Sequence, residues 1–304
     1  MVDLRVEIAG LKLKNPVLAA SGTYGHGEEF ADFLAVEKLG GLVVKGTTLE
    51  PRQGNPAPRL AETPSGLLNT VGLQNNGVDY LIAEHLPRLA KLNTAVIVNV
   101  SGSTPEDYAA VIQKLRGQKA VAALELNISC PNVRSGGMAF GTDPVAAAGL
   151  VRAVKRFCDK PLIVKLSPNV TDIASIARAV EEAGADAVSL INTLLGMAID
   201  VETQKPKLST ITGGLSGPAV KPIALRMVWQ VARAVKIPVI GMGGIAAWQD
   251  ATEFLLAGAA AVQVGTANFI DPLTPLKIID GLEQYLQNKG LKRITEIIGG
   301  LQSG

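Results

Sequence analysis

Three observations predict an α/β protein built as a (β/α)8 TIM barrel. Eight apolar, strand-like runs recur along the chain, most of them precede a helical pattern, and no linker or compositional break divides the 304 residues. Such barrels typically need about 250 residues, so an N-terminal β-hairpin and long loops at the C-terminal face account for the excess. Residues 1–304 are therefore expected to form a single domain.

The elements follow in order. Residues 4–8 and 11–14 alternate apolar and polar around Ala9-Gly10, the pattern of a hairpin with one wet face, expected to plug one barrel end. The strand-like runs are residues 17–20, 41–44, 95–100, 121–126, 162–166, 187–191, 238–240 and 261–264. They are apolar nearly throughout, as parallel strands covered on both faces require. Thr104-Pro105 and Asp143-Pro144 each place a capping residue before a proline at the first helical position. A helix over 172–183 ends at Gly184, where a C-terminal glycine belongs. Helical spacing recurs over 223–235 and 248–256. Residues 47–77 and 196–217 are expected as two long loops leaving the catalytic face, and loops of that length are usually functional.

Composition narrows the function. A chain with 47% hydrophobic and 18% charged residues buries a large core. Basic and acidic residues number 29 and 27, with no basic block, which argues against nucleic acid or an anionic membrane and for small-molecule chemistry. The two cysteines, Cys130 and Cys158, make neither a disulfide framework nor a zinc pattern, which suits a reducing cytoplasm. The N-terminus has no apolar leader and no run is long enough to span a bilayer, so a cytoplasmic protein is expected. No metal site is expected.

The strand ends are polar almost throughout: Ser21, Lys45, Asn99, Asn127 with Cys130, Lys165, Asn192 with Thr193, Gly243 with Gly244, and Gly265 with Thr266. A ring of such residues at one end reads as a site. Glycines at the seventh and eighth ends let a backbone approach a phosphate closely. Residues 241–246 also match G-x-G-x-x-A, but the following strand lacks the acid that holds a dinucleotide's ribose, so a mononucleotide phosphate fits better. Lys45 and Lys165 close apolar strands, so each ammonium must face the barrel mouth or be buried at high cost; at the mouth an anionic cofactor ring, an acidic substrate or a Schiff base would suit them. Asn99, Asn127 and Asn192, with Asn69 in the first long loop, supply paired donors and acceptors for an amide-rich heterocycle. Cys130 reads either as a small buried hydrophobe or as a base or nucleophile.

The run Asn127-Ile128-Ser129-Cys130-Pro131-Asn132 resembles the signature of class 1 dihydroorotate dehydrogenases. The resemblance covers essentially the whole chain, through Ala20-Ser21-Gly22, Val44-Lys45-Gly46-Thr47-Thr48, Gly54-Asn55-Pro56, Asn69-Thr70-Val71-Gly72-Leu73-Gln74-Asn75, Ile191-Asn192-Thr193, Leu215-Ser216-Gly217-Pro218-Ala219, Gly243-Gly244-Ile245 and Val264-Gly265-Thr266. It implies an FMN enzyme that oxidises (S)-dihydroorotate to orotate in de novo pyrimidine (UMP) biosynthesis, with Cys130 as general base and hydride transfer to the flavin. By the same resemblance Lys45, Asn69, Thr70, Val71, Gly72, Leu73, Asn127, Asn192 and Thr193 hold substrate. Ser21, Lys45, Gly46, Asn99, Asn127, Lys165, Ile191, Gly217, Gly243, Gly244, Gly265 and Thr266 hold FMN. Residues 134–141, with three glycines, are the expected lid.

Gly72-Leu73-Gln74-Asn75 and residues 135–141 resemble the NAD-linked class 1B catalytic subunit. Gly46 departs from the small side chain expected there in many relatives, which bears only on fine flavin contacts. Class 1B implies a separate electron-transfer subunit carrying FAD and a [2Fe-2S] cluster, around a homodimer at the core of a heterotetramer. This chain's two cysteines cannot hold a cluster that needs about four. The alternatives are a fumarate-using class 1A enzyme, a Schiff-base aldolase using Lys45 or Lys165, and a flavin carrier without catalysis.

Overall fold

The structure, a computed structural model, describes residues 2–27, 29, 35–129 and 140–302. Eight parallel strands form a closed barrel in chain order: Val17–Ala19, Gly41–Thr47, Ala95–Val100, Ala123–Asn127, Leu162–Lys165, Ala187–Leu190, Val239–Met242 and Ala261–Val264. The eighth closes on the first through Val262 opposite Val17 and Val264 opposite Ala19. Each falls on an expected run, shifted by three residues at most at either end.

The strands are apolar on both faces because each face has a cover. One set of alternating residues packs outward beneath the helices. Gly241 belongs to it, for a Cβ there would meet the Phe254 ring at 2.6 Å. The other set fills the barrel, and register decides its membership. Asn99 lies opposite Glu125, Asn127 opposite Lys165, Lys165 opposite Ser189 and Met242 opposite Gln263, so these residues share the interior face.

The hairpin pairs Val6–Ile8 with Leu11–Leu13 through a turn in which Ala9 and Gly10 both have positive φ. Ile8 and Leu13 are buried while Glu7 and Lys12 face water. It lies at the N-terminal barrel end, where Lys14 donates to the Glu37 carbonyl at 2.7 Å and to the Asn93 carbonyl just ahead of the third strand.

Helix starts follow their capping residues. Thr104 accepts from the Asp107 amide in a reciprocal capping box that opens Pro105–Leu115. Asp143 accepts from the Ala146 amide at 2.8 Å ahead of Pro144–Lys155. Asp172 accepts from the Ala174 and Ser175 amides ahead of Ile173–Glu182, which is followed by Gly184 at φ +101°. Lys221–Ala232 and Trp248–Leu256 occupy the next two expected stretches, and Thr274–Asn288 packs against the latter. No helix among the described residues is long and apolar enough to cross a membrane.

The expectation of two plain loops at the C-terminal face is corrected. Segments of both combine into a four-stranded antiparallel sheet, ordered Leu194–Met197, Thr212–Ser216, Gly66–Asn69, Leu60–Thr63. Its central pairing joins residues some 145 apart in sequence, and its strands are short and glycine-bearing, so no local periodicity marks them. Close approach explains two of the glycines. A Cβ at Gly213 would sit 2.6 Å from the Asn69 carbonyl oxygen, and one at Gly214 only 2.0 Å from the Thr193 hydroxyl oxygen.

Candidate active site

A cavity of about 310 Å³ lies between the C-terminal strand ends and this roof, within the range of small-molecule sites. The strand ends supply Ser21, Lys45, Gly46, Asn99, Asn127, Lys165, Ile191, Asn192 and Thr193. Gly217, Gly243, Gly244, Gly265 and Thr266 form one edge, and Asn69, Val71, Gly72 and Leu73 descend from the roof. Cys130 and residues 134–139 of the expected lid lie outside the described residues.

Thr70 differs from its expected placement. It is fully buried and does not line the cavity. Its hydroxyl oxygen accepts from the Asn55 amide at 2.9 Å and from the Thr210 hydroxyl at 2.6 Å. Alternation along the extended roof segment turns this side chain away from the cavity, so Thr70 ties two roof segments together.

The floor is a connected polar array. Lys165, nearly buried, donates to the Ser21 hydroxyl at 3.2 Å across the barrel mouth and stands 3.8 Å from Glu125. Glu125 is fully buried in the barrel interior. It accepts from Asn99 Nδ2 at 2.7 Å, Ser189 Oγ at 2.9 Å and Gln263 Nε2 at 2.8 Å. Above it Asn127 donates to Asn99 Oδ1 at 3.3 Å, and Asn127 Oδ1 accepts from the Ser129 amide and hydroxyl and from Asn192. Asn192 also donates to Ser129 Oγ at 2.8 Å. The Tyr108 hydroxyl, from the helix below, holds the Asn127 carbonyl at 2.8 Å. Ser129 immediately precedes Cys130 in the sequence.

Lys45 is the second cation of the cavity, with burial pushing its ammonium below the usual lysine range, Glu29 opposing that shift and Arg59 adding to it. An anion bound beside it would favour the charged form and oppose that shift.

The glycine edge fits a phosphate. Gly217, Gly243 and Gly244 have φ of +92°, +128° and +75°, and a Cβ on Gly244 would lie 2.8 Å from the Gly217 carbonyl oxygen. Gly265 has neither a positive φ nor a close neighbour among the described residues, since a Cβ there would stand 3.7 Å from Ala20 Cβ, the nearest atom beyond its chain neighbours. Packing does not demand glycine at 265. A bare backbone beside open cavity is what an approaching anion requires. At Gly46 a Cβ would stand 3.1 Å from Asn99 Oδ1, a tight contact.

Sequence reasoning passed over Glu125, Ser189 and Gln263. Each interrupts an apolar run, and a charged residue inside a strand covered on both faces is the signal that marks the polar interior.

A closed (β/α)8 barrel with a polar, glycine-edged cavity at its C-terminal face defines an enzyme of the barrel class. The dihydroorotate dehydrogenase family model matches residues 3–286, and the chain belongs to that family. It is 61% identical over 302 residues to the dihydroorotate dehydrogenase B (NAD(+)) catalytic subunit of Bacteroides thetaiotaomicron, covering 99% of this chain and 100% of that one. The subunit of the same name from Pelobacter propionicus is 58% identical over 300 residues, with 99% of each chain covered. Among solved structures, DHODH from Eimeria tenella in complex with ferulenol shares the fold at a TM-score of 0.83 and 23% identity, covering 98% of this chain and 88% of that one.

Proposed function

We propose that this chain is the FMN-binding catalytic subunit of an NAD-linked dihydroorotate dehydrogenase, oxidising (S)-dihydroorotate to orotate in pyrimidine biosynthesis. The observation that carries this reading is the cavity itself. Two lysines, an amide array and a glycine edge converge in a chain 61% identical, end to end, to a subunit so named.

When bound, FMN supplies the acceptor for the hydride leaving substrate C6. Gly217, Gly243, Gly244, Gly265 and Thr266 would hold its phosphate. Ser21, Gly46, Asn99, Lys165 and Ile191 would border its ring system. The substrate carboxylate is paired by Lys45, and its ring amides and carbonyls by Asn69, Asn127, Asn192 and Thr193. Val71, Gly72 and Leu73 close over it from the roof and exclude water. Cys130 takes the C5 proton onto sulfur, so the substrate loses one proton and one hydride and gains the C5–C6 double bond.

The electrons leave through a separate subunit carrying FAD and a [2Fe-2S] cluster, in a cytoplasmic heterotetramer built on a homodimer of this chain. The acceptor test is direct. Supplied with dihydroorotate, the purified chain should leave NAD unreduced until the partner subunit is added, and should turn over fumarate poorly. Ready fumarate reduction by the chain alone would overturn the NAD-linked reading.

A further inference from the structure

Two unambiguous groups anchor the amide array beneath the cavity. At the bottom is the Glu125 carboxylate, which only accepts hydrogen bonds. At the top is the Ser129 backbone N–H, which only donates. Between them every amide has its orientation fixed. Asn99 must turn its NH₂ down to Glu125, which turns its carbonyl up to the Asn127 NH₂, which in turn leaves the Asn127 carbonyl facing the Ser129 amide. Asn192 joins the same carbonyl through its own NH₂.

A second observation shows how strongly Glu125 directs its surroundings. Gln263 is fully buried and gives its NH₂ to Glu125 at 2.8 Å, while its own carbonyl oxygen has no hydrogen-bond partner among the described residues. An orphaned buried acceptor is costly, and this one accompanies a third side-chain donor to the carboxylate. A purely structural filler would call for none of this, because well-packed apolar side chains of similar volume can often replace a buried ion pair with no loss of stability.

We infer that Glu125 is a positioning residue that fixes which edges of the cavity asparagines donate and which accept. Asn99 and Asn127 each spend one amide hydrogen within the array and keep a second. At these two positions the cavity wall is thereby set to present donors, which match the carbonyl oxygens of a pyrimidine or flavin ring. The carboxylate also lies 3.8 Å from the Lys165 ammonium, so it moderates the positive charge offered to whatever anion lies above. The inference rests on the FMN and dihydroorotate reading for the identity of the ligands.

The test compares wild type, Glu125→Gln and Glu125→Asp as FMN-loaded proteins. The readouts are orotate titration followed by flavin absorbance, the FMN midpoint potential, and the melting temperature. Glutamine is isosteric but carries both a donor and an acceptor, so it releases Asn99 from its single orientation. Glu125→Gln should weaken orotate binding by about tenfold or more, the scale of one charge-assisted hydrogen bond. It should also shift the FMN potential to a more positive value, because a negative charge beside Lys165 is gone. Glu125→Asp remains a pure acceptor and should restore orotate affinity to within a few-fold. It carries the test alone if the glutamine variant fails to fold.

Unchanged affinity and potential in Glu125→Gln would overturn the inference. So would equal loss in both variants, which would make the residue a matter of packing. A wild-type chain that held neither FMN nor orotate would instead overturn the functional reading, and this inference with it.

Discussion

The barrel interior has two halves made from the same strands. Toward the hairpin end the inward positions are Leu18, Val43, Ile97, Ile163 and Ile240, all fully or almost fully buried. One pleat further along, the second, third and fifth strands place Lys45, Asn99 and Lys165, and the fourth, sixth and eighth add Glu125, Asn127, Ser189 and Gln263. The lower half stabilises by removing aliphatic surface from water, roughly 25 cal/mol per Å². In the upper half the polar groups are held by one another, Gln263 Oε1 excepted, because each costs free energy when left unsatisfied. A step of two residues along a strand thus separates the part that holds the barrel closed from the part that does chemistry.

That division is open to attack from both sides. The largest effect is expected at Cys130. Cys130→Ala should slow flavin reduction by dihydroorotate about 10²- to 10⁴-fold, the usual contribution of a general base, while the protein remains yellow. Near-normal rapid reduction in stopped flow would remove Cys130 from the role.

In the lower half, Ile97→Ala should cost about 2–5 kcal/mol of unfolding free energy through the cavity it leaves. At temperatures where the variant is folded, KM and kcat should stay close to wild type. A variant that melts normally yet loses activity would show that the halves are not separable.

A smaller effect belongs to the roof. Thr70→Val removes the acceptor shared by Asn55 and Thr210 and should raise the KM for dihydroorotate a few-fold, about 1 kcal/mol. A loss confined to kcat would return Thr70 to direct substrate contact.

The smallest effect concerns pH. Because burial holds the Lys45 pKa below its ordinary 10.5, the folded protein carries a destabilised cation at neutral pH. That penalty is relieved as pH rises through the lowered pKa and vanishes above 10.5, where both states are neutral. Lys45→Met should therefore raise the melting temperature of the ligand-free protein at neutral pH, and the gain should shrink toward pH 10.5. A gain that grew with pH would reverse the assigned sign.

How far the sequence disclosed this division depends on the kind of signal. The eight strands were legible because double-sided burial writes continuous apolar runs, and the helices from 104, 143 and 172 because capping side chains precede them. The cavity edge was legible because the polar residues closing those runs all end at one face. Glu125 was not, although it stands in plain view between Leu124 and Leu126. A run judged by its average hides the single residue that departs from it. The roof escaped for a different reason, since pairing Leu67 with Ser216 joins two segments that carry no local trace of one another. The orientation of Thr70 depends on that pairing and was equally beyond reach.

The central claim is that the polar upper half binds a flavin and passes it a hydride from dihydroorotate. The most direct test is the visible spectrum of the purified chain during anaerobic addition of dihydroorotate. Stoichiometric bleaching of bound FMN, with orotate formed in equal amount, is the predicted result. A colourless protein, or a flavin spectrum that dihydroorotate leaves unchanged, would contradict it.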